Sequence, residues 1–175
     1  PELSDISPFL SIAQPISPNR DNSGLSDRLF VAYDHGVKRW PMVGRAKECA
    51  AIRDALRADA APTVVVAGPA GIGKTRLIAE ALADHSDLRW VHPSLAAAAI
   101  PLGAFAEHVD PVIIDPLLRI RALIDTFTSG DGESVVVIDD IQVLDQMSMI
   151  VVQTLMSMPS VRVVLGYRTA GRPTP

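Results

Sequence analysis

The chain has 175 residues, 48% of them hydrophobic, enough for one domain with a full core and not comfortably for two. A formal net charge of −4 argues against a broad nucleic-acid-binding surface, and no apolar stretch approaches membrane-spanning length. The lone cysteine, Cys49, excludes an internal disulfide and is compatible with a reducing cytoplasm.

The opening residues do not have the pattern of a signal peptide. The chain starts at Pro1 and closes on a polar tail, so a fragment of something longer is expected. Residues 1–24 carry four prolines and five serines, which prevents long regular structure. Residues 28–40 could form two short strands around Asp34-His35-Gly36. Together, residues 1–40 read as a linker or N-terminal arm, and residues 41–175 as one domain.

From Pro41 the pattern sharpens. Gly44-Arg45 precedes a helix with apolar positions at Cys49, Ile52 and Leu56, on which the cysteine is a small core residue. Residues 63–67 (TVVVA) read as a strand, and the helix after them, about Lys74 to Asp84, buries Leu77, Ile78, Ala81 and Leu82. A second strand covers 88–93, closed by Pro93, and alanine-rich residues 94–109 form short helical pieces. A helix over 116–128 turns Ile120, Leu123, Ile124 and Phe127 to the core. The run 134–138 is continuous and β-branched, as in a strand buried on both faces. Asp145 can cap the helix over 146–158, which buries Met147, Ile150, Val151, Leu155 and Met158; a strand over 161–167 follows. Strands alternating with helices predict an α/β fold, a parallel sheet flanked by helices.

Between the first strand and its helix stand Gly68, Pro69, Ala70, Gly71, Ile72, Gly73, Lys74 and Thr75. This is the spacing of a phosphate-binding P-loop. Glycines let backbone N–H groups curl round a polyphosphate, and the helix N-terminus offers it further N–H groups and a partial positive charge. Lys74 would reach the β- and γ-phosphates of ATP or ADP, and the Thr75 hydroxyl would hold Mg²⁺. Arg76 extends the nucleotide-binding stretch into the helix, where it reads equally as a solvated face.

Ligands of open α/β sheets lie beyond the carboxyl ends of the strands. Asp139 and Asp140 follow the strand over 134–138 and therefore end at the same rim as the loop. Asp139 is expected to hold Mg²⁺ with Thr75, and Asp140 to orient or deprotonate the attacking water. Simple solvent-facing strand ends are the alternative. Arg168 follows the strand over 161–167, where it either meets the γ-phosphate or caps the strand. His35, His85, His92 and His108 lack metal-ligand spacing and read as surface or turn residues. Trp40 and Trp90 make no stacking platform, and the acidic 107–115 stretch reads as solvent-facing.

Several segments resemble a known group. MVGR-AKE ahead of the loop is similar to the Gly-Arg motif that opens the nucleotide-binding domains of the STAND ATPases, relatives of AAA+ proteins, and VVVIDDIQVLD to their Walker B segment. IPLGAFAEHV (100–109) and VRVVLGYRTAGRPTP (161–175) are closer to the large ATP-binding LuxR-type transcriptional regulators of actinobacteria. The resemblance covers about residues 41–172. It implies a P-loop NTPase fold and a switch: ADP holds a closed state, while inducer and ATP permit an oligomeric, DNA-binding one. It places Arg45 near the adenine and ribose, Lys74 and Thr75 on phosphate and Mg²⁺, Asp139 and Asp140 in Walker B roles, and Arg168 as sensor 1. It further implies that DNA is reached only through a C-terminal helix-turn-helix and a small-molecule inducer through a helical sensor, both beyond this chain. The helical lid and arginine finger are likewise expected to be missing.

Two other classes stay open: an AAA+-type motor or loader, and a scaffold that binds nucleotide with little turnover. In the AAA+ motors the position of Asp140 usually holds a longer Glu, so Asp implies slow, Mg-dependent hydrolysis and a switch.

Overall fold

Val135, Val136, Val137 and Ile138 are consecutive β-branched residues, which strand geometry sends alternately to the two faces of a sheet. In the computed structural model they form β4 (Ser134–Ile138), buried along its whole length. Val135 and Val137 join the core on one face, Val136 and Ile138 the core on the other. The structure describes residues 11–13, 44–57, 63–129 and 132–169. The expected strands over 28–40 and the tail from 170 lie outside those residues.

Around β4 stand β1 (Ser11–Ala13), α1 (Ala46–Arg57), β2 (Thr63–Gly68), α2 (Lys74–Ala81), β3 (Leu88–Val91), α3 (Pro116–Thr128), α4 (Gln146–Met156) and β5 (Val161–Arg168). The sheet order is β1-β2-β5-β4-β3. Strands β2, β5, β4 and β3 run parallel, as the alternation of strands and helices predicted. Ser11–Ala13, inside the proline-rich arm, pairs antiparallel with Val65–Ala67 and forms the edge beside β2.

The chain leaves β2 for the far edge and returns strand by strand, so the order reverses beside β2. Helices α1 and α2 pack on one face with Ile52, Leu56, Leu77, Ile78 and Leu82. Leu123, Phe127, Val151 and Leu155 of α3 and α4 fill the other. Each such side chain contributes about 1.5–3 kcal/mol on burial, so the two faces together hold the sheet between the helix layers.

Some boundaries differ from expectation for local reasons. Helix α2 stops at Ala81 rather than Asp84, because Arg53 of α1 donates to the carbonyls of Ala81 (2.9 Å) and Glu80 (2.8 Å). A cation on a helix's last carbonyls is a C-terminal cap. Strand β3 ends at Val91, opposite the last residue of β4, and not at Pro93. Asp145 does cap α4, accepting from the N–H groups of Met147 and Ser148 (2.9 and 3.0 Å) and from the Ser148 hydroxyl. On α4 Ser148 and Val152 are buried while Ile150, expected inside, is exposed. Asp145 also accepts from Leu102 N at 3.2 Å, fastening the 3₁₀ segment Gly103–His108 to α4. Burial alone would raise the Asp145 carboxyl, but the hydrogen bonds from Ser148, Leu102 and Met147 outweigh it and hold it below the ordinary value of 3.8.

His108, expected at the surface or in a turn, is half-buried. Its ring lies edge-on to Phe127 at 5.0 Å, and burial, helped by the charge of Arg89 though opposed by Glu107, lowers its pKa from 6.5. A lowered imidazole means the unfolded chain takes up a proton before the fold does. This contribution to stability is therefore complete above about pH 6.5 and is lost as pH falls below it. Asp145, also lowered, acts in a separate window, below the ordinary aspartate range. We expect the urea midpoint to drop between pH 7.5 and pH 5, and His108→Gln to flatten that slope; an unchanged slope in the variant would show that His108 is not its source.

Candidate functional site

The loop between β2 and α2 owes its path to two glycines. Gly71 (φ +74°) and Gly73 (φ +89°) occupy the left-handed region, where a Cβ is strained. Gly73 is also the N-cap of α2, and no side chain caps that helix. The first-turn N–H groups at Lys74 and Thr75 have no carbonyl four residues back within the helix to meet. Such a terminus suits an anion. Lys74 is buried, and its Nζ donates to the carbonyls of Gly68 (3.0 Å) and Pro69 (3.1 Å), so the ammonium folds across the loop.

Thr75 Oγ1 donates to Asp139 Oδ2 at 2.5 Å, joining the start of α2 to the end of β4. The loop and the paired carboxylates thus stand at one rim of the sheet. Asp139 N donates to Val91 O of β3 at 3.1 Å. On the other side stands Gly166 of β5. A Cβ there would collide with Asp139 Oδ1 and lie 3.2 Å from the Asp139 Cα and 3.3 Å from Asp140 N. Only glycine leaves Asp139 its place.

Asp140 turns away from the strand in the left-handed region, φ 54° and ψ 50°. For a non-glycine residue this costs on the order of 1–3 kcal/mol, least for Asp and Asn. Two hydrogen bonds hold the carboxylate, and a third joins its two partners. Arg168 Nη2 donates to Oδ2 at 2.7 Å, Gln142 Nε2 donates to Oδ1 at 3.0 Å, and Gln142 Oε1 accepts from Arg168 N at 3.1 Å. Arg168 is the partner of Gly68 in the β2–β5 register, and Thr169 N donates to Gly68 O at 3.1 Å. The arginine therefore springs from the strand beside the loop's first residue.

Two further residues are expected at the site. Arg45 lines a cavity of about 200 Å³ with Ala46, Cys49, Arg53 and Glu80, none of which belongs to the loop. Arg76, exposed, sits one residue beyond Thr75 on α2. Sequence reasoning overlooked Gln142 and Gly166. The glycine had a signal, since a glycine inside a strand often marks a close approach. Gln142 had none, because its role depends on the bend at Asp140.

The residues fit a magnesium-bound nucleotide. Thr75 Oγ1 and Asp139 Oδ2 are two adjacent hard oxygens. Among the described residues no group of three or more His, Cys, Asp or Glu could hold a metal. Magnesium is commonly bound through one or two protein oxygens completed by phosphate and water, which is the set available here.

A parallel sheet with helices on both faces, entered through a glycine-rich loop that opens a helix, defines a P-loop NTPase fold. The chain belongs to the AAA ATPase domain family, whose profile matches residues 41–165, well over half its length. It is accordingly a nucleotide-binding ATPase domain by family. No curated protein matches it. Among the described residues, no helix is long and apolar enough to cross a membrane.

Gly166→Ala should displace Asp139 and cost about 1–3 kcal/mol in chemical denaturation, as overpacking does. Gly132→Ala, where the new Cβ meets nothing within 4 Å, is the control. It should stay within about 0.5 kcal/mol of the parent. Equal midpoints for the two variants would mean that Asp139 is not held against β5.

Proposed function

We propose that this domain binds ATP with Mg²⁺ at residues 68–75 and hydrolyses it slowly, as the switch module of a signal-responsive LuxR-type transcriptional regulator. The observation that carries the ATPase reading is the Thr75–Asp139 hydrogen bond, which sets the helix-opening hydroxyl against the carboxylate at the end of β4. In this reading the N–H groups of Gly71, Gly73, Lys74 and Thr75 receive the phosphates and Lys74 turns its ammonium to them. Thr75 and Asp139 hold Mg²⁺, which would neutralise phosphate charge. Asp140 accepts the proton of the attacking water, and Arg168 meets the terminal phosphate.

The regulator reading rests on the resemblance of residues 100–109 and 161–175 to that family and on Asp140, whose short side chain suits slow turnover. Inducer and DNA would be bound by other domains, and nucleotide state would govern self-association in the cytoplasm. By the same resemblance Arg45 would lie near the adenine and ribose, but the cavity it lines includes no loop residue, so Arg45 carries less of this reading than the loop does.

Calorimetric titration provides the first check. Lys74→Ala should weaken ATP binding by at least about tenfold, the loss of roughly one charge-assisted hydrogen-bond set. Affinity equal to the parent's would remove the loop assignment. Asp140→Asn should still bind ATP while turnover falls about 10²-fold or more, the usual contribution of a positioned base. The parent's turnover should lie well under about 1 s⁻¹, below the range of most enzymes, whereas a motor would exceed it.

A further inference from the structure

Four large apolar side chains stand in water where the chain enters α3. Val112, Ile114, Leu117 and Leu118 are 80%, 87%, 75% and 58% exposed. Apolar surface gathered on one face marks an interaction site. Asp115 caps the helix here, its Oδ1 accepting from the N–H groups of Leu117 and Leu118 at 2.9 and 3.0 Å. Leu123 and Phe127 take the inner side of α3, in the core it shares with α4. Helical spacing carries Ile114, Leu118, Arg121 and Asp125 along the opposite side, with Leu117 beside them. The charges on this stripe are uncommitted. Asp115 uses only Oδ1 in its cap, and neither Asp115 nor Arg121 forms an ion pair among the described residues.

We propose that this stripe is a docking surface for a second copy of the chain, lying antiparallel across it about a two-fold axis at Leu118. In a two-fold contact, what one residue meets on the other copy is met in return. Antiparallel helices centred on Leu118 set position 115 against position 121 of the second copy, and 121 against 115. Asp115 then faces Arg121 twice over, on either side of Leu118 against Leu118. Ile114 falls opposite Ala122, a small side chain that lets the helices approach. The run Asp115-Pro116-Leu117-Leu118-Arg119-Ile120-Arg121 is acidic at one end, basic at the other and carries leucines between. That is the self-complementarity a two-fold contact requires, and it favours a second copy over an unrelated partner. The stripe lies on the face of the sheet opposite α1 and α2. None of its residues belongs to the loop or the carboxylate pair, so the pairing needs no nucleotide and stands apart from the proposed function. A contact of one helix per copy gives a weak, reversible dimer.

The test is sedimentation of the 175-residue chain without nucleotide. Over about 5 to 500 µM the parent should pass from monomer to dimer. Leu118→Ser should weaken the dimer at least about tenfold, as loss of a central apolar contact does. Arg121→Glu and Asp115→Lys, each alone, set two like-charge pairs across the axis and should weaken it about tenfold. An equal mixture of those two variants restores opposite charges at both contacts, and should dimerise within about threefold of the parent. Arg121→Glu leaves the helix cap untouched. Should Asp115→Lys unfold for want of its cap, Leu118→Cys replaces the mixture: at the axis it should form an intermolecular disulfide under mild oxidation, whereas Cys49 is buried. A parent that stays monomeric leaves the stripe to a partner of other chemistry and overturns the proposal. A dimer indifferent to Leu118→Ser lies on another face and overturns it too. A mixture no tighter than its separate variants, or a Leu118→Cys chain that does not cross-link, rejects the antiparallel pairing.

Discussion

The contact on which the rim of this domain depends is that between Asp139 and a missing side chain. Asp139 follows a strand buried on both faces, so its backbone has little freedom: Val91 of β3 receives its N–H, and β5 lies against its other side. At that point β5 carries Gly166, and the absent Cβ is the space that the Asp139 carboxylate uses. From there Oδ2 meets Thr75 and Oδ1 accepts from Asp140 N at 3.0 Å. Asp139 thereby joins α2 through its carboxylate and β3 through its backbone N–H, while lying against β5. A larger residue at 166 would move the carboxylate and the bend that aims Asp140 together.

Much of this was legible in the sequence, and the pattern of what was not is physical. The loop, both carboxylates and Arg168 were readable because each stands where a strand ends, and strand ends in a parallel sheet share a rim. The core faces of α2 were readable from apolar spacing: Leu77, Ile78, Ala81 and Leu82 are all buried. On α4 spacing failed, because QMSMIVVQTLM is apolar nearly all round and apolar spacing picks out no single face. His108 escaped for a related reason. Its ring is covered by Phe127, a residue nineteen positions later on α3, and no local pattern announces that contact. Gln142 is the clearest case. Its two hydrogen bonds exist only because Asp140 takes a left-handed backbone, a conformation that composition does not reveal.

The carboxylates at this end of the sheet are held by two different kinds of contact. Asp139 and Asp145 accept from neighbouring N–H and hydroxyl groups and join separate elements, Asp139 the end of β4 to the start of α2 and Asp145 α4 to Leu102. The bonds of Asp145 are expensive to break, because donors are left unmet in partly buried ground. Asp140 instead pairs with a half-exposed arginine, an interaction worth roughly 0–1 kcal/mol and screened by salt. Its backbone strain, of order 1–3 kcal/mol, is larger than the ion pair alone offsets, so the Gln142 bridge and the packing of Ile141 and Leu144 against the core must hold the bend in place. The bend is thus held by hydrogen bonds and packing, while the ion pair it presents is open to solvent.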